Sequence, residues 1–302
     1  YWLISLMQEQ KTEKDALAII NKYLKNDPKF FVYLLKFRFY MRAEKIDSAK
    51  EVYIKIINEE PETDVDRVIK SNTLSLGKDH EATIKFCKDN EDREELFVHL
   101  QITKAKAYEN QGNLVKALEI FKQIQLYYDE IESTDTFVLR RMASIWEELG
   151  NEKNALIFYK QILKFNSKDR EILVKVVRLL KKSHKIDELF SYLERMHMLW
   201  PNNNNFTMEY ANALMGKNEY PKALALYTQI AEQDDLSDET YDDAIIASLK
   251  IGECMLKMGD PRTAYKIFHT LVKDDNKFKE AWDGLAIAAT ELGKRSEAER
   301  AI

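Results

Sequence analysis

Five histidines and two cysteines are the residues best suited to hold a metal or attack a substrate: His80, His99, His184, His197, His269, Cys87 and Cys254. Their spacing serves neither chemistry. A zinc hydrolase sets two histidines one helical turn apart around a glutamate, and a zinc module pairs cysteines two to four residues apart. Neither arrangement occurs here, nor does a glycine-rich phosphate loop, a nucleophile elbow or a dinucleotide fingerprint. Each histidine therefore reads as a turn or surface residue rather than a ligand. Cys87 and Cys254, far apart in the chain, read as free buried thiols, which favours a reducing, cytoplasmic compartment. The expectation is a protein with no catalytic residues, no metal and no cofactor.

A second concentration of chemistry is acidic. Six of the ten residues from Asp234 to Asp243 are Asp or Glu. A calcium loop needs a central glycine and a glutamate at its twelfth position, and both are missing. The alternative is a helix lengthened by about two turns and capped near Ser237, its carboxylates favoured by the helix dipole. An acidic knob for a basic partner is a third, lesser reading. Asn202–Asn205, after Pro201, reads as a solvated loop.

The elements that would position any site are helices. The chain of 302 residues has only 8 Gly and 5 Pro, too few for a turn-rich β protein, while charged (32%) and apolar (45%) residues alternate at three- and four-residue intervals. No run of about 18 apolar residues marks a membrane span. The net charge of −5 argues against a uniformly basic surface for bulk nucleic acid, though not against a local basic patch.

The helices recur with a period. Leu189 lies 34 residues after Ala155 and Ala223 lies 34 beyond it; Ala298 follows Ala264 by 34, and Ala117 follows Ala49 by 68. Similar text surrounds these positions: QGNLVKALEIF at 111, LGNEKNALIFY at 149, MGDPRTAYKIF at 258 and LGKRSEAERAI at 292. Gly112, Gly150, Gly259 and Gly293 fall where a first helix must end in a left-handed residue, and Pro221 and Pro261 fall where a second helix begins.

These residues resemble the tetratricopeptide repeat, a 34-residue helix–turn–helix unit. The resemblance runs over the whole chain as about nine units, centred on Ala16, Ala49, Thr83, Ala117, Ala155, Leu189, Ala223, Ala264 and Ala298. Trp282, Leu285, Ala289 and Gly252 fit first-helix positions; Phe121, Tyr159 and Phe268 fit second helices; Pro28, Pro61 and Pro201 fit the terminating proline. The third unit, about 64–97, fits worst, because Thr83 replaces alanine and Gly77 comes one position early, so irregularity is expected there. The implied fold is all-α: a single right-handed superhelical solenoid over 1–302 with a concave face. In this register Tyr1 falls inside a first helix and Ile302 inside a second, which suggests part of a longer protein whose targeting signal lies elsewhere, with ends open to self-association.

The resemblance also implies a binding groove, lined by first-helix residues 18, 15, 14 and 11 positions before each unit's centre. Those stations hold Lys106 in the fourth unit, Arg140 and Arg141 in the fifth, and Lys175 and Arg178 in the sixth. Later units contribute Asn205, Glu209, Asn212, Lys250, Glu253, Glu280 and Asp283, so the groove turns from basic to mixed and acidic. A basic concave patch suits a carboxylate-rich peptide or helix. The family's clamp for chaperone tails needs asparagines where Ser144 and Lys175 stand, and Glu209 intrudes, so that ligand does not fit. The implied function is a non-enzymatic scaffold or adaptor for protein partners within an assembly. Two alternatives stay open: an RNA-binding helical repeat, distinguished by base-reading pairs or by aromatics beside the groove cations, and a regulatory arm of an enzyme or membrane protein outside this chain.

Overall fold

The computed structural model describes residues 17–22, 30–233 and 238–301. Tyr1, Ala16, Pro28, Ser237 and Ile302, which figure in the expectations above, lie outside the described residues.

Every described element is helical, and the helices come in pairs. The first compact unit ends at Phe165. After helical residues 17–22 it holds α1 (Phe30–Arg42) with α2 (Ile46–Asn58), α3 (Asp64–Leu76) with α4 (His80–Asp89), α5 (Phe97–Asn110) with α6 (Leu114–Glu130), and α7 (Thr136–Glu148) with α8 (Glu152–Phe165). The second unit holds α9 (Arg170–Lys182) with α10 (Ile186–Leu199), α11 (Asn204–Gly216) with α12 (Tyr220–Ala231), α13 (Asp238–Lys257) with α14 (Pro261–Asp274), and α15 (Lys279–Glu291) with α16 (Arg295–Ala301). Within the units, first helices touch the next first helix: α1 with α3, α3 with α5, α11 with α13 and α13 with α15. Stacked helix–turn–helix pairs are thus the fold, as expected. No described helix is long and apolar enough to cross a membrane.

One backbone device joins both helices of every pair. Five residues before each described centre the chain turns left-handed: Glu44, Lys78, Gly112, Gly150, His184, Asn218, Gly259 and Gly293 all have φ between 50° and 79°. At Gly150 the following N–H, of Asn151, donates back to Trp146 O at 2.8 Å and closes a Schellman turn, while Asn151 Oδ1 accepts from Asn154 N at 3.1 Å and caps α8. Half of these positions lack glycine, so the turn is dictated by how the two helices pack and only assisted by composition. Gly77 is not the left-handed residue of its unit; its φ is −70° and Lys78 makes the turn. What requires glycine at 77 is close packing: a Cβ there would lie 2.3 Å from the Tyr53 ring.

The third unit departs from the pattern after its turn. Helix α4 is only 10 residues long, and a 3-10 turn at Glu94–Leu96 carries the chain into α5. Thr83 is fully buried and satisfies its hydroxyl by donating to Asp79 O at 2.6 Å, which explains how a polar residue occupies the small central position. Seven of the eight buried polar residues among the described ones, Lys70, Ser71, Thr73, Thr83, Gln101, Thr103 and Lys104, lie between α3 and α5. The acidic stretch matches the lengthened-helix reading, since α13 has 20 residues where the other first helices have 13 or 14. Cys87 and Cys254 are free and buried.

Aromatic residues four positions after the centres fill the cores of the pairs. Phe121, Tyr159, Tyr227 and Phe268 are each at most 1% exposed. Where the aromatic is a tyrosine, its hydroxyl reaches back to the first helix: Tyr159 donates to Glu147 at 2.9 Å and Tyr227 to Asn212 at 2.7 Å.

Candidate functional site

In the first unit the expected groove stations meet across α5 and α7. Lys106, exposed, places Nζ 5.1 Å from the centroid of the Phe137 ring, itself 37% exposed. Lys106 stands 11 residues before its own centre and Phe137 stands 18 before the next, so the last station of one first helix faces the first station of the following one. Arg141 lies one turn along α7 from Phe137 and pairs with Glu109 of α5 at 2.5 Å. The Glu109 side chain is only 8% exposed, and burial pushes its pKa above the ordinary carboxylate value despite Arg141. Arg140 is half-buried beside it. At the other end of α5, His99 contacts Ser71 of α3 at 3.1 Å. The Ser71 hydroxyl donates to Val68 O, so the His99 Nε2 hydrogen is the donor in that contact, and burial together with Lys106 holds the imidazole pKa down.

In the second unit α9 and α11 enclose a cleft of about 260 Å³. Val174, Val177, Met196 and Phe206 form its floor, and Arg178, Lys181, Asn205 and Glu209 its rim. Val174 stays 44% exposed, an apolar side chain facing out among charges. Lys181 pairs with Glu209 at 2.6 Å, and Lys175 pairs with Glu171 along α9 at 3.0 Å. Helix α9 carries five basic residues against one acidic, whereas the whole chain is negative. Asn212 is exposed but oriented from within, its Oδ1 accepting from Tyr227. Farther along, Lys250 and Glu253 satisfy one another at 2.8 Å.

Among the described residues no group of three or more His, Cys, Asp or Glu is disposed to hold a metal ion. What the stations present is charge beside exposed apolar surface, a chemistry of association. Residues 247–275, the second half of α13, its turn and all of α14, match a sequence model of the tetratricopeptide repeat. They contain the turn glycine, the central alanine and the core phenylalanine of a pair, the same features that recur through the chain. This one pair is similar to a tetratricopeptide repeat.

No curated protein matches this chain in sequence. Among solved structures, MamA is 16% identical, over 55% of this chain and 87% of that one, with a TM-score of 0.44. A tetratricopeptide repeat protein from Parabacteroides merdae is 13% identical over 86% of this chain and 98% of that one, with a TM-score of 0.44. A chain of the Naa15/Naa10 complex bound to HypK-THB is 19% identical, over 99% of this chain and 47% of that one, with a TM-score of 0.49.

Three residues that shape these faces escaped the charge-based reading of the stations: Phe137, Val174 and Glu109. The signal for the first two was available, since they occupy the positions 18 and 15 before a centre. Glu109 lies three residues past the last station of its helix, and its pairing with Arg141 depends on how α5 and α7 cross.

Proposed function

We propose that this tetratricopeptide chain is a non-enzymatic scaffold, residues 1–302 forming one array of repeats whose first-helix faces take an acidic peptide or helix of a protein partner within an assembly. The observation that supports this reading is the pairing of exposed apolar side chains with cations at the stations: Phe137 with Lys106, and Val174 with Arg178. The part of an apolar side chain left in water among charges adds nothing to the fold and gains free energy when a partner covers it. Cations around it attract and orient the partner's carboxylates. Lys106, Arg140 and Arg141 belong to one face, and Lys175, Arg178, Asn205 and Asn212 to the other.

The test is affinity capture with the chain and with a variant carrying Arg140→Glu, Arg141→Glu, Lys175→Glu and Arg178→Glu. The wild type should retain a protein partner that the variant loses, while circular dichroism shows both folded. Equal capture by both would refute the assignment of these residues. Single-stranded RNA is a second reading, favoured by the Phe137 ring beside Lys106, since a base stacks on such a ring. Binding that falls steeply with salt would support it, and none at low salt would dismiss it.

A further inference from the structure

Arg141 stands at a station facing out of the stack, yet its guanidinium is held by a carboxylate of its own chain. We propose that Glu109 occupies from within the place that a partner's carboxylate takes on Arg141, and that binding proceeds by displacing Glu109 onto Lys106. The inference rests on the reading of the α5–α7 face as a partner surface and adds how that surface is held closed.

Several features of the face fit displacement better than a fixed structural bridge. Arg141 offers five donors, its side chain is 36% exposed, and the bond to Glu109 runs from one terminal nitrogen to one carboxylate oxygen. A guanidinium has the geometry to hold a carboxylate by two parallel bonds, so a better-placed carboxylate can compete. Glu109, for its part, has a second cation within reach. Lys106 precedes it by three residues on α5, a spacing that brings side chains together on a helix face.

Lys106 rests meanwhile on the Phe137 ring. Moving Glu109 to Lys106 would draw the ammonium from that ring. The partner would then find two groups uncovered together, the Arg141 guanidinium for its carboxylate and the Phe137 face for a neighbouring apolar group. Burial, with the Glu148 carboxylate adding in the same direction, holds the Glu109 pKa above the ordinary carboxylate value despite Arg141 and Lys106. A carboxylate left buried with no cation would be costly, and Lys106 is what makes the exchange feasible.

The experiment measures binding of fluorescein-labelled octaglutamate by anisotropy, at low salt, to the whole chain and to variants. Glu109→Gln should tighten binding about tenfold, because the probe no longer competes with a resident charge. Glu130→Gln removes the same charge from the exposed end of α6 and should change binding no more than about twofold, as expected of a screened surface charge. Adding Arg141→Gln to Glu109→Gln should abolish the gain. Equal gains from Glu109→Gln and Glu130→Gln, or a gain that survives Arg141→Gln, would overturn the displacement while leaving the partner surface standing. No binding of the probe by any variant would overturn both.

Discussion

Replacing Gly252 by alanine should destabilise the second unit, although alanine is the better helix former. Gly252 of α13 and Gly284 of α15 face the same buried ring, Phe268 of α14, from two sides. A Cβ at either position would lie 2.6 Å from ring carbons, about 1 Å inside ordinary contact. The ring is fully buried, and any shift that clears Gly252 presses it toward Gly284. Overpacking of this kind costs about 1–3 kcal/mol, against about 1 kcal/mol gained from helix propensity. The net loss expected for Gly252→Ala is therefore about 1 kcal/mol, and roughly 2–4 °C in melting temperature for a unit of this size. Gly252→Ala with Gly284→Ala should lose more than the two single losses added, because the ring has nowhere left to move. The decisive arm is Phe268→Leu: with the ring gone, Gly252→Ala should become neutral or stabilising, a coupling of about 2 kcal/mol. Urea unfolding gives the free energies, and amide exchange over α13 to α15 localises the effect. A Gly252→Ala protein as stable as the wild type, or one whose loss is unchanged by Phe268→Leu, would refute the wedge.

The turns allow a prediction of opposite sign. Lys78→Gly and His184→Gly should each stabilise by about 1 kcal/mol, since a side chain at positive φ carries strain that glycine avoids, whereas Gly150→Ala should cost about 1–2 kcal/mol; thermal unfolding measures both. Acid should weaken the fold through His99 and His197, whose pKa values are lowered by burial. The unfolded chain binds protons near the ordinary value of about 6.5 and the folded chain only below it, so stability falls as pH drops through 6.5 and levels off below the lowered values. His99→Gln, which keeps a donor for Ser71, should flatten that part of the pH profile in urea titrations. Val174→Asp should leave melting nearly unchanged, because the side chain is already 44% exposed, yet reduce partner capture if the α9–α11 cleft takes an apolar group.

Much of this architecture was legible in one sequence because a repeat states its rule many times. Ala117, Ala155, Ala223 and Ala264 mark centres where only a small side chain fits, Phe121, Tyr159 and Phe268 fill the space beside them, and the prolines stand at helix edges. Several independent units agreeing on a 34-residue spacing located the helices, while the stations, including Lys106, Arg140, Arg141, Lys175 and Arg178, are what the family resemblance implies. Other features depend on distances between helices, which no spacing encodes. Lys78, five positions before its centre, makes the left-handed turn like its counterparts, and Gly77 instead serves a close approach to Tyr53. Phe268 needs Gly252 and Gly284 on two different helices, and the cleft under Val174 exists only because α9 and α11 lie side by side. Glu109 shows the limit most directly: in the sequence it is one carboxylate among many, and only the crossing of α5 and α7 puts it on Arg141, 32 residues along the chain. Local backbone preference and periodic burial act along the chain and can be read there; pairing of charges across helices is a property of the packed interior and its low dielectric, which arises only on folding.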